Sequence, residues 1–156
     1  MKPFKNNVRV LKFKCYGDGG SFYVSDCEKR LVAQTLCKCR NIVNLVLPTI
    51  FNSEMAHILA RNHSSLTVLD LRHNYEICRE TVQILFGNME LVRKNEFLIK
   101  AVKKSPSSCA FKDSIKVIDL RYCDEIVKRQ VIQIMEEDSR INYNRFPSIA
   151  QVLLGE

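Results

Sequence analysis

SLTVLDLRHN (Ser65–Asn74) and SIKVIDLRYC (Ser114–Cys123) are two copies of one phrase. They share Ser, Val, Asp, Leu and Arg at equivalent places and exchange Leu for Ile at two others. The likeness runs on. Glu76-Ile77 answers Glu125-Ile126, and Val82-Gln83-Ile84-Leu85 answers Ile132-Gln133-Ile134-Met135 after a one-residue slip. An internal repeat is therefore the first organising fact about this chain.

Both copies place apolar residues at positions one, four and six. The same spacing recurs as Val8, Leu11, Phe13; Ile42, Leu45, Leu47; Leu66, Leu69, Leu71; Ile115, Ile118, Leu120; and Ile149, Val152, Leu154. One triplet means little, because aliphatic residues are common; five, two of them near-copies, define a pattern. The last two members alternate as a strand does. Leu69 and Leu71 point one way, and Val68, Asp70 and Arg72 the other. A single small repeat cannot bury its apolar side alone, so neighbours stack and their strands pair in parallel.

Between the triplets the apolar spacing becomes helical, at three and four residues. Leu31, Val32, Thr35 and Leu36 precede the second strand, and Met55, Ile58 and Leu59 the third. Val82, Leu85 and Phe86 follow the third strand; Val131, Ile134 and Met135 follow the fourth. Ser25 and Ser53 stand where helix caps are needed, with Glu54 in the first turn after Ser53. The expectation is an α/β chain with about five parallel strands and helices behind them. It forms a single domain over residues 1–156.

Ile115, Ile118, Leu120, Cys123 and Ile126 resemble the cysteine-containing leucine-rich repeats of F-box proteins and their relatives. Leu31 to Leu36, Cys39, Asn41, Ile42, Leu45 and Leu47 match the family's helix, cysteine and following strand. Asn74 takes the asparagine alternative at the Cys123 position, and Cys109 precedes the fourth strand at a greater distance. The resemblance implies a short horseshoe with strands on the concave face and helices on the convex one. It also implies a protein-recognition role, such as substrate recognition or scaffolding related to ubiquitin-ligase receptors. No F-box is visible, so the ligase link does not follow from the repeats. The triplets begin at 8, 42, 66, 115 and 149, giving steps of 34, 24, 49 and 34 residues. Family repeats run roughly 20–29 residues. The longest step, with residues 88–113 inside it, holds a helical insertion (Met89 to Lys104) or a degenerate repeat around Met89 to Val92. Neither end shows a polar cap. The chain is then a fragment, an incomplete gene model, or a module whose end a partner covers.

Apolar residues make up 46% of the chain and charged residues 26%, a globular balance that argues against disorder. No apolar run reaches the roughly 18–20 residues that cross a bilayer, and the N-terminus lacks a signal-peptide core. Seven cysteines, an odd number, do not make a disulfide framework. Reduced thiols in cytoplasm or nucleus are expected. MKPFKNNVRVLKFK lacks acidic residues as a mitochondrial presequence does, but Val8, Leu11 and Phe13 belong to the repeat pattern, so mitochondrial import, with a role as a mitochondrial complex assembly factor, is the minority alternative. The net charge of +7 is concentrated early, in Lys2, Lys5, Arg9, Lys12, Lys14, Lys29, Arg30, Lys38 and Arg40, against Asp18, Asp26 and Glu28. With Lys100, Lys103 and Lys104 this basic end offers a secondary route to nucleic acid.

Chemistry-bearing residues are sparse. Cys37-Lys38-Cys39 has no second ligand pair at zinc spacing, and Cys39 has a core role in the repeat. His57, His63 and His73 lack a nucleophile at motif spacing. Gly17-Asp18-Gly19-Gly20 lacks the lysine of a phosphate loop and reads as a turn. Asn74 and Cys123 follow strands, where a side chain can bond turn backbone groups. No catalytic, cofactor or metal site is expected. The candidate site is the outward row of the strands: Lys12, Lys14, Asn44, Val46, Val68, Asp70, Arg72, Val117, Asp119 and Arg121. The Asp and Arg residues recur in register. They either neutralise one another across strands or meet a protein partner, where the arginine fork binds carboxylates.

Overall fold

A computed structural model describes residues 7–14, 24–75, 77–86, 110–140 and 151–155. The chain is α/β. Five strands, β1 (Val10–Lys12), β2 (Asn44–Val46), β3 (Val68–Asp70), β4 (Val117–Asp119) and β5 (Gln151–Leu153), form one parallel sheet in sequential order that does not close on itself. Four helices are described: α1 (Asp26–Lys38), α2 (Ser53–Asn62), α3 (Arg79–Phe86) and α4 (Glu125–Arg140). No described helix is long and apolar enough to cross a membrane.

The register is the one the triplets require. Leu11, Leu45, Leu69, Ile118 and Val152 are partners across the sheet. Three strand residues are few, but the ladder continues past them. Thr67 N–H reaches Val43 O at 2.8 Å and Lys116 N–H reaches Thr67 O at 2.8 Å. At the other end Leu47 N–H meets Asp70 O and Leu71 N–H meets Asp119 O, both at 2.9 Å. Leu45, Leu47, Leu66, Leu69, Leu71 and Ile115 lose all contact with water, whereas Leu11 and Val152, on the outermost strands, are half-buried. Helices α1 to α4 pack each on the next, and Val32, Leu36, Met55, Leu59, Val82, Leu85 and Val131 join the strand leucines in one core.

Local chemistry sets the helix ends. Ser25 caps α1 with a full capping box: Glu28 N–H donates to its Oγ, while the Glu28 carboxylate accepts from Ser25 N–H at 2.8 Å. The cap of α2 is Asn52, whose Oδ1 accepts from Met55 N–H at 3.0 Å. Ser53, expected in that role, is the first helical residue instead. Its hydroxyl bonds Thr81 Oγ1 of α3 at 2.9 Å.

Other expectations fail by one position. Leu31 is 63% exposed, and Ala33 takes its place in the core, because the buried stripe of α1 runs through Val32, Ala33 and Leu36. Ile126 is 66% exposed although Ile77 is buried; Val127 does the work of Ile77 in its repeat. Ile132, matched to buried Val82, is likewise 42% exposed, and Val131 is buried in its place, so the one-residue slip does not carry the core positions from one copy to the other. The proposed insertion or degenerate repeat, together with Gly17 to Gly20, Cys109, Ile149 and the lysines at 2, 5, 100, 103 and 104, lies outside the described residues.

Candidate interaction surface

With the leucines turned toward the helices, alternate residues face the opposite side of the sheet in rows. The first row is Val10, Asn44, Val68, Val117 and Gln151; the second is Lys12, Val46, Asp70, Asp119 and Leu153. Two residues on from Lys12, Asp70 and Asp119 stand Lys14, Arg72 and Arg121. Lys12 and Lys14 are exposed, and Asn44, Val46, Val68 and Val117 half-buried. Asn44 Oδ1 has no hydrogen-bond partner among the described residues.

The acidic members do not stand free. Asp70 and Asp119, expected to be displayed, are buried at 8% and 5% exposure beneath the arginine two residues further on. Arg72 donates its backbone N–H to Asp70 Oδ1 at 3.1 Å, and its Nε and Nη2 to the carboxylate at 3.0 and 2.7 Å. Arg121 repeats this on Asp119 at 3.1, 3.0 and 2.7 Å. A second-neighbour spacing brings both side chains to one face of a strand, and the planar fork fits both oxygens. Neutralisation thus runs along the chain within each repeat. The described cross-strand contact in this group is Arg72 Nε to Asp119 Oδ2 at 3.5 Å.

Burial pushes the Asp119 carboxyl up. The side-chain and backbone bonds from Arg121, then the charges of Arg121 and Arg72, outweigh it and hold the group below its ordinary value. Bonding to Asp70 raises Arg72 above the ordinary guanidinium range against some desolvation. The arginines keep side-chain exposures of 41% and 38%, so what the face offers to solvent is positive.

Beyond the arginines the backbone does something the sequence did not announce. Thr49, His73 and Tyr122 have φ of 63°, 60° and 62°. Each stands two residues after the last leucine of its triplet, Leu47, Leu71 or Leu120. A left-handed conformation costs an L-residue about 1–2 kcal/mol, and glycine would avoid that. In two of the three repeats the residue is instead a ring, and the His73 and Tyr122 rings stack with centroids 4.6 Å apart and planes 3° from parallel. Tyr75 is 70% exposed close by in sequence.

The next position closes the turn. Asn74 is buried. Its Oδ1 accepts Phe51 N–H at 2.8 Å, and its Nδ2 donates to Leu47 O at 2.7 Å and Leu71 O at 2.8 Å. Cys123 Sγ points to Leu71 O at 3.2 Å. Each of these side chains therefore ties its turn to the repeat before, the backbone role expected of them. Cys39 is buried and Cys37 exposed, so the pair does not converge. No group of three His, Cys, Asp or Glu side chains suited to a metal occurs among the described residues.

His63 had no assigned role. It stands three residues before Leu66 as Cys39 stands before Ile42, and both end a helix with N–H bonded back to the fourth preceding carbonyl. His63 is fully buried, with Nε2 2.9 Å from Leu36 O and Nδ1 unpaired among the described residues. Its equivalence to Cys39 was the available signal.

Comparison of the chain with protein-family models, with curated proteins and with solved structures found no match.

Proposed function

We propose that this chain is a non-enzymatic protein-interaction module, built as a short leucine-rich-repeat horseshoe of the cysteine-containing type. Its inner face is the sheet surface opposite the helices. A role in substrate recognition or scaffolding, as in ubiquitin-ligase receptors, fits the resemblance of the repeats; the cytoplasm or nucleus fits the free thiols. One observation carries the reading: Asp70–Arg72 and Asp119–Arg121 repeat the same bonded geometry on neighbouring strands, leaving two half-exposed guanidiniums side by side. Arginine held in a fixed orientation loses little freedom on meeting a partner and is common at the energetic centres of interfaces.

The test is affinity capture from cells with mass-spectrometric identification. Wild type is compared with the Arg72→Gln, Arg121→Gln double variant, each checked for native circular dichroism. Glutamine is preferred to glutamate because a reversed charge would sit against Asp70 and Asp119. Loss of a specific partner from the folded variant is expected; identical partner sets would remove this face from consideration.

A further inference from the structure

We infer that the partner presents an extended acidic segment to the strand-exit end of this face, its carboxylates on Arg72 and Arg121 and its chain along the His73–Tyr122 shelf. The inference rests on reading this face as an interaction surface and narrows it to one class of occupant.

Lys12, Lys14, Arg72 and Arg121 bring four positive charges to the described part of the face. Asp70 and Asp119 bring two negative ones, buried with both oxygens bonded to arginine. The face is therefore positive by two, and what solvent meets there is cationic. Of the acidic groups just past Tyr122, Glu125 pairs with Lys128 at 2.8 Å, and Asp124, whose Oδ1 accepts Ile126 N–H at 2.8 Å, is exposed at the start of α4. A net of two is small for a groove that tracks a nucleic-acid backbone, where each neutralised phosphate adds to affinity. It suits a few carboxylates.

The backbone at the rim is strained. Thr49, His73 and Tyr122 share a left-handed conformation at one repeat position, yet none is glycine. Two of them are rings that stack on each other without becoming buried; Tyr122 keeps 46% exposure and His73 is exposed. Strain kept with a large exposed side chain points to a use for that side chain. A rigid pair of rings next to two oriented guanidiniums combines the residue types that dominate binding energy at interfaces. Tyr75, two residues after His73, is exposed as well.

Fluorescence anisotropy of the full chain with fluorescein-labelled decaglutamate tests the class, with a ten-nucleotide single-stranded DNA as competitor class. Three double variants are compared: Arg72→Gln with Arg121→Gln, His73→Gly with Tyr122→Gly, and Lys38→Gln with Arg61→Gln. The last removes equal charge from exposed positions on α1 and α2. The glycine pair removes the rings while matching the local backbone, so it stays folded should the arginine pair not. Decaglutamate should bind wild type and the helix-surface control alike. It should bind about tenfold more weakly to the arginine pair, and several-fold more weakly to the glycine pair. No decaglutamate binding, an equal loss in the control, or tighter binding of the DNA overturns the inference. Affinity capture is run on the same proteins. A cellular partner lost from the glycine pair without any decaglutamate binding would refute the acidic class and keep the interaction surface. Capture indifferent to every variant, again without decaglutamate binding, would refute both.

Discussion

Replacing Asn74 by alanine removes three hydrogen bonds of 2.7–2.8 Å and strands two backbone groups, Phe51 N–H and Leu47 O, while Leu71 O keeps the Cys123 thiol at 3.2 Å. A buried polar group left unpaired costs about 1–3 kcal/mol, and water entering the space recovers part of it. The expected loss is therefore about 2–4 kcal/mol, a sizeable share of the roughly 5–15 kcal/mol that holds a domain together. With a urea slope of about 1–2 kcal/mol per molar, the midpoint falls by roughly 1–4 M. Asn74→Cys imitates the next repeat, where the Cys123 thiol faces one carbonyl, so it should land between wild type and alanine. Asn74→Asp keeps an acceptor for Phe51 N–H but turns an anion toward two carbonyls. It should be at least as damaging as alanine at neutral pH and recover in acid, when the protonated carboxyl can donate. Urea unfolding followed by far-ultraviolet circular dichroism gives all three midpoints. If Asn74→Ala lies within about 1 kcal/mol of wild type, or if cysteine is no better than alanine, the ladder reasoning is wrong.

Three further outcomes follow from named contacts. Burial, then the charge of Arg40, lowers the His63 pKa against the bond to Leu36 O. Its contribution is thus complete above the unfolded value of about 6.5 and is lost as pH falls below it. His57, lowered chiefly by desolvation, adds in the same sense. His63→Gln should flatten, without abolishing, the fall in the urea midpoint from pH 7.5 to 5.5; an unchanged slope would contradict the buried neutral imidazole. Asp119, held below its ordinary value mainly by Arg121 bonding against its burial, supplies stability above about pH 3.8 that is lost in stronger acid. Asp119→Asn should lower the midpoint at pH 7 and shrink that acid loss, and a midpoint equal to wild type at both pH values would refute it. Ser25→Ala deletes the capping box of α1 and should cost about 1 kcal/mol in the same assay. Ser25→Asp, which restores an acceptor, should regain most of it.

Apolar spacing at positions one, four and six, repeated five times, was enough to specify five parallel strands in sequential order with Leu11, Leu45, Leu69, Ile118 and Val152 in register. Period two allows one register that turns every leucine to the same side, and short repeats joined by helices pair neighbour to neighbour. The same pattern marked Lys12, Arg72 and Arg121 as facing away from that core, and Asn74 and Cys123 as turn-binding residues. Spacing alone was blind to distances between side chains. It did not reveal that Asp70 and Asp119 lie buried under their own arginines, that Ile126 yields its core position to Val127, or that His63 stands in for Cys39. Least of all did it mark the left-handed turns at Thr49, His73 and Tyr122, since none carries the glycine or asparagine that usually signals one. Burial order is written locally, in which residues are apolar and how often they recur. Charge pairing, ring stacking and backbone strain are settled only when neighbouring repeats come within a few ångströms of one another.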